Sequence, residues 1–271
     1  MNNYNQKKCG WAVSLFLFLL AAAPVFSQKN WSGTFGSDWF FSGNWIPFGV
    51  PTATESVFIA DKANDPIIGG SAVAQSVIVQ VGAHLTVAAA GTLTINSSSI
   101  QNEGTVQNNG TITIGSIPGL GNYGLLNRGI FNNNTGGTIS INRSTDVGIF
   151  NIVDGIFTNS GTITIGGAES VGDFGIHNKA TFNNITGGQI SINRSTIAGI
   201  FNEVGTFNNF TTINIGGTAS VGESGIFNKA TFNNGTGGLI SIDRSTNEGI
   251  YNKVGTFNNV GTTTIGGTAS V

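Results

Sequence analysis

Cysteine occurs once in this chain, at Cys9, proline five times, and charged residues make up only 9% of the sequence. Each scarcity excludes something. One cysteine close to the start leaves the rest of the chain without a disulfide framework or a thiolate metal centre. The charged share is about a third of that in ordinary soluble domains, which argues against a helical protein with solvated faces. With 11 Lys and Arg against 13 Asp and Glu the formal net charge is -2, so no basic field exists to attract phosphate backbones or anionic lipid. Nucleic acid is therefore not an expected partner. The two histidines, His84 and His177, are isolated from one another, and zinc needs a closer set of ligands. No metal and no cofactor is expected. The glycine-rich runs also lack the repeated G-G-x-G-x-D pattern of calcium-binding β-rolls.

What the chain does have is 41 glycines and 39% hydrophobic residues, 19 of them Phe. That apolar share exceeds what a disordered chain carries and is enough to bury a core. At the start, Lys7 and Lys8 precede an apolar run from Trp11 to Ala23, and Pro24-Val25-Phe26-Ser27 follows. The run falls short of the ~20 residues a bilayer span requires. A basic segment, a short apolar run and a small residue predict a secretory leader over residues 1–27, cleaved after Ser27. Lys7 and Lys8 directly before Cys9 exclude a lipid anchor there. The mature chain is expected outside the cell or on its surface, with no membrane insertion after cleavage. Without disulfides it must be held by repetitive hydrogen bonding and stacking.

Internal repetition supplies the means. The triplet RST recurs at Arg143, Arg194 and Arg244, and Phe131, Phe157, Phe182, Phe207, Phe232 and Phe257 recur at intervals of about 25 residues. Val106 holds the matching place in GTVQNNGTITIG, and the same arithmetic reaches back to Val81. Two kinds of unit alternate, one carrying ISI and RST, as from Phe182, the other TIGG or NIGG, as from Phe207. Loop lengths shift between them while the total is kept. Each unit has three short apolar runs, around the Phe, at I-x-I and at G-I-F-N, separated by Gly, Asn, Ser and Thr turn chemistry. Alternation at I-x-I puts Ile190 and Ile192 on one face and Ser191 on the other. Three parallel strands per coil, stacked ~4.8 Å apart, satisfy all of this. The expected fold is all-β: a right-handed parallel β-helix, a solenoid of three-strand coils, its hand following the usual crossover preference. Asn183, Asn208, Asn233 and Asn258, at matching turn positions, can form an amide ladder between coils; the alternative is that they are there for asparagine's tolerance of left-handed turn geometry.

Residues 28–80 differ. Trp31, Trp39 and Trp45 cluster there, and the first coil, having nothing beneath it, needs an aromatic cap. The organisation is thus a leader over 1–27, a cap with first strands over 28–80, and a repeat region over 81–271 that ends in mid-coil at Val271. The strings WFFSGNWIPFGVPTATESVFIAD and GAHLTVAAAGTLTINSSSIQNEGTV resemble the amino-terminal region of large secreted repeat proteins of Bacteroidetes, many of which leave the cell by the type IX pathway. Later repeats resemble β-helical adhesin and autotransporter-like passengers more loosely. The resemblance implies a secreted or surface protein. It implies no activity.

Parallel β-helices include polysaccharide lyases and glycosidases, so acidic pairs matter. Asp173 and Glu223 hold equivalent places two coils apart, roughly 10 Å if stacked, slightly beyond the carboxylate spacing of inverting glycosidases. As repeat equivalents they are better read as copies of one solvated loop residue. No catalytic residue is assigned. Two sets are candidates for ligand binding: Trp31, Trp39 and Trp45 as an exposed stacking platform for carbohydrate, and Arg143, Arg194 and Arg244 as a column that grips acidic glycans, partly neutralised by Asp146 and Glu248. Thr-x-Thr at Thr111/Thr113, Thr162/Thr164 and Thr262/Thr264 is similar to the threonine arrays of ice-binding solenoids, interrupted by Asn214 and by the ISI units. Extracellular glycans or other surface proteins are the expected partners of a non-catalytic, adhesin-like structural rod. A carbohydrate-active β-helix whose catalytic part lies elsewhere is the alternative.

Overall fold

The computed structural model describes residues 27–115 and 121–266. The leader with Lys7, Lys8 and Cys9, and the terminal Val271, lie outside the described residues. Among the described residues three sheets run along the molecule, here called A, B and C, with eleven, nine and nine strands, all parallel except the antiparallel pair Gln28–Trp31 and Trp45–Ile46 at the start of sheet A. One coil consists of Ala198–Asn202 in sheet A, Thr206–Asn209 in sheet B and Thr212–Ile215 in sheet C. The chain then returns to sheet A at Ser224–Asn228, in register on the strand below. This is the parallel β-helix of three-strand coils that the repeat requires.

Alternation decides what each strand buries. In Thr212–Ile215 the two isoleucines are fully buried and Thr212 and Asn214 face outward. In Thr206–Asn209 the inward residues are Phe207 and Asn209. Phe131, Phe157, Phe182, Phe207 and Phe232 form one buried column whose ring centroids are 4.9, 4.7, 4.6 and 4.8 Å apart, with interplanar angles of 2°, 4°, 5° and 4°. Rings that stay parallel over five coils mean that each coil is a translated copy of the one below, with almost no rotation. The column runs back through Val106 to Leu85. Val81 is not in it. The coil between is shorter than the repeat, so Val81 falls in a turn and is 76% exposed.

Both corners flanking sheet B carry a buried amide ladder. Asn102, Asn127, Asn151, Asn178, Asn202 and Asn228 each donate Nδ2 to the Oδ1 of the next asparagine at 2.7–2.9 Å. Asn108, Asn133, Asn159, Asn184, Asn209 and Asn234 do the same at 2.7–2.8 Å. Most also donate to a corner carbonyl, as Asn184 does to Thr212. A buried amide without partners costs about 1–3 kcal/mol, and here every coil supplies the partner of the next. The ladder expected at Asn183, Asn208, Asn233 and Asn258 also forms, at 2.8 Å per step. It lies on the outer face of sheet B, not in the turns.

Two glycine positions let the coils close. Gly199 in sheet A faces the Ile215 side chain so closely that an added Cβ would lie 2.7 Å from its Cγ2, and this explains the glycine in G-I-F-N. Gly166, at φ +67°, packs beneath the backbone of Arg194. The alternation of unit types is also explained: a long corner such as residues 216–223 follows a tight B-to-C turn, whereas the short corner 193–197 follows a wider turn through Gly187 and Gly188.

Below the first full coil, Ser56–Ile59, Ile67–Ile68 and Ser71–Ala74, lies the aromatic cap. Trp45 packs edge-on between Trp31 and Trp39, with centroids 4.9 and 4.7 Å away. All three are at most 2% exposed. Trp31 Nε1 donates to Asn64 O and Trp45 Nε1 to Trp39 O, both at 2.7 Å. The tryptophans therefore plug the end of the core, and the stacking platform expected from them does not exist. A sugar cannot reach faces that are packed against one another. The rings that do face solvent in the cap are Phe35, Phe41 and Phe48.

Candidate functional site

The strands of sheet A read G-I-F-N. Their Ile and Asn point inward, so alternation turns the Phe outward. The result is a second aromatic column, on the surface: Phe150, His177, Phe201, Phe227 and Tyr251 stack with centroids 4.7, 4.7, 4.7 and 5.1 Å apart. Tyr123 extends it below Phe150 at 5.1 Å, and Phe174 lies alongside His177 and Phe201. Its middle is the most covered part: His177 and Phe201 are 9% and 6% exposed, Phe150 and Phe227 are half-buried, and Tyr251 is 39% exposed.

The turns after three of these strands place charged side chains, Lys179, Glu203 and Lys229, beside the rings. Lys229 Nζ sits 4.9 Å from the Phe201 centroid and 5.1 Å from that of Phe227, within cation–π range. Lys179 Nζ lies 5.8 Å from Phe150 and 2.9 Å from Glu203 Oε2. Glu203 Oε2 is also 2.8 Å from His177 Nε2. Burial between two phenyl rings pushes the His177 imidazole below its ordinary pKa, and the hydrogen bond with Glu203 works against that shift. For Glu203, burial acts to raise the carboxyl, but the Lys179 ammonium and His177 outweigh it and hold it below the usual carboxylate range. At neutral pH the stripe thus combines ring edges, two ammonium groups and one carboxylate. Such a surface offers repeated apolar contacts with a cationic margin.

The arginine column takes on a different role from the one expected. Arg194 Nη1 donates to Gly166 O and Gly167 O at 2.9 and 2.6 Å, and Arg244 Nη1 to Gly216 O and Gly217 O at 2.9 and 2.6 Å. These arginines clamp the long corner of the coil below. Arg143 Nη2 pairs with Glu169 at 3.0 Å, not with Asp146, and Glu248 accepts from Ser224. A guanidinium already committed to backbone carbonyls or to a carboxylate is a poor grip for an acidic glycan.

Asp173 and Glu223 are exposed in the column that also holds Asp146, Ile197 and Asn247, linked by backbone hydrogen bonds from coil to coil. They occupy one repeated loop position. Among the described residues no group of three or more His, Cys, Asp or Glu is placed to hold a metal, and no helix is long and apolar enough to cross a membrane. His84 is exposed at the start of its strand.

The aromatic cap, the aliphatic coils and the onset of the phenylalanine column form one continuous segment. Residues 30–148 match the family model of a domain of unknown function (DUF8693). The match runs from the tryptophan plug to the first strands of the repeated coils. No curated protein and no solved structure matches the chain.

The outward aromatic stripe was the part sequence reasoning missed. Its signal is the alternation within G-I-F-N: once Ile is assigned to the core, the neighbouring Phe must face out.

Proposed function

We propose that this protein is a secreted or cell-surface, non-catalytic rod with adhesin-like contacts, of the kind found in Bacteroidetes repeat proteins. The observation that carries the reading is that like residues stack on like through successive coils, inside in the phenylalanine and asparagine columns and outside in the asparagine row of sheet B. Ladders of this kind serve extension and rigidity. The stripe of sheet A, with Lys179 and Lys229 at its margin, supplies many weak equivalent contacts, which suits polyvalent attachment to extracellular glycans or surface proteins.

The test is a glycan array together with a polysaccharide depolymerisation assay on the full chain and its Lys229→Ala and Phe227→Ser variants. Binding without cleavage is expected, weakened several-fold by either substitution. Release of any product overturns the non-catalytic reading and makes Asp173 and Glu223 the first residues to replace.

A further inference from the structure

Sheet C presents a surface unlike the other two. The consecutive strands Thr92–Ile95, Thr111–Ile114, Thr138–Ile141 and Thr162–Ile165 lie in register. Their outward residues form two columns, Thr92, Thr111, Thr138, Thr162 and Thr94, Thr113, Ser140, Thr164. The ISI unit, which in the sequence interrupts the threonine pattern, here contributes Thr138 and Ser140 to the same array.

Three properties of this array point to one ligand. It is regular: the four strands pair residue for residue without a shift, neighbouring parallel strands lie ~4.8 Å apart and alternate residues along a strand roughly 6.7 Å apart. Those two spacings are close to oxygen repeats on the prism faces of ice. It is uncharged: no outward position of sheet C from Ser71 to Thr264 holds Asp, Glu, Lys or Arg. Its threonine hydroxyls are also unused, while the Ser140 hydroxyl donates to Asn142 Oδ1 at 3.3 Å. None of the seven threonines hydrogen-bonds a protein group through its side chain, whereas the outer asparagines of sheet B satisfy one another. Threonine is common on exposed strands because it suits them, but that preference alone fixes neither the absence of charge nor the lack of side-chain partners. Each threonine adds a methyl beside its hydroxyl, and its β-branch holds χ1, so the lattice is set before any ligand arrives.

We propose that the outer face of sheet C over residues 92–164 binds crystalline water: the hydroxyl rows order surface water at the strand repeat, and that layer merges with an ice face. This inference is independent of the sheet A stripe. The test uses the full chain, fluorescently labelled, partitioned into a slowly growing ice hemisphere and assayed for inhibition of ice recrystallisation. Uptake into ice is expected. Thr113→Lys, a charge in the middle of the array, should raise the concentration needed for inhibition at least tenfold; Gln101→Lys, outward on sheet A, should leave it unchanged, with circular dichroism melting verifying that both are folded. Exclusion of the folded wild-type protein from ice overturns the proposal. So does equal inhibition by wild type and folded Thr113→Lys, or retention on crystalline cellulose or chitin through this face without uptake into ice.

Discussion

The coils between Ser56 and Ile95 and those from Ile100 onward share a backbone and differ inside. In the first set the inward residues are aliphatic: Val57, Ile59, Val77, Val79, Leu85, Val87, Leu93 and Ile95. In the second, the sheet A and sheet B corners switch to Asn102 and Asn108 and their successors, and from Phe131 the sheet B column becomes phenylalanine. Aliphatic packing is undirected and tolerates exchange at constant volume. An amide ladder is directed: each Oδ1 takes the donor from below and each Nδ2 reaches the acceptor above, so it closes only when successive asparagines stand in register, even where the rungs are 24 and 27 residues apart. The early coils can therefore vary in contour, as the displacement from Val81 to Leu85 shows. The later ones keep their asparagines in register while the corners between them differ in length.

That contrast can be broken most forcefully at the phenylalanine column. Phe207→Ala removes a ring stacked on both faces, and a loss of about 3–5 kcal/mol is expected, read as a lowered denaturant midpoint and faster amide exchange in the neighbouring coils. The ladder gives the next effect. Asn184→Leu leaves Asn159 Nδ2, Asn209 Oδ1 and Thr212 O short of a partner, a loss of about 2–4 kcal/mol. The reverse exchange, Val87→Asn, adds an amide next to Asn108, to which Val87 is paired in register. It should cost only about 1 kcal/mol, because the new amide finds a partner on one side. Equal losses at the two sites, measured in the same denaturation series, would remove the distinction between the regions.

The smallest effect is the dependence on pH at His177. Its pKa in the folded protein lies below the unfolded value near 6.5, so over the window just below 6.5 the unfolded chain binds more protons and stability falls as pH falls. His177→Phe should abolish that slope and complete the ring column. An unchanged slope in the variant would assign the dependence to another group.

The fold was legible because inward Phe and Ile recur at fixed intervals, and period-two alternation then placed the strands. The buried asparagines were legible in part. Asn183 and its equivalents were recognised as a ladder, but Asn184, one residue on and facing inward, was not singled out, because asparagine carries an expectation of turns that burial with a partner overrides. The cap was read correctly as a cap, yet its tryptophans could not be assigned inward or outward, since an irregular segment has no period to phase them. The same holds for the arginines: their acceptors are carbonyls a full coil below, and no spacing within RST announces them.

The two buried ladders have one more consequence. Every inward amide donates toward the carboxyl-terminal coil, while the outer ladder on sheet B donates the other way. Aligned amide dipoles add along a column, so the interior carries a net axial polarisation that the single outer row opposes only in part. The described coils thus have an electrical sense as well as a chain direction: both buried columns are negative toward Asn102 and Asn108 and positive toward the later coils. A charged molecule lying along these coils would meet a field that favours one orientation over the reverse.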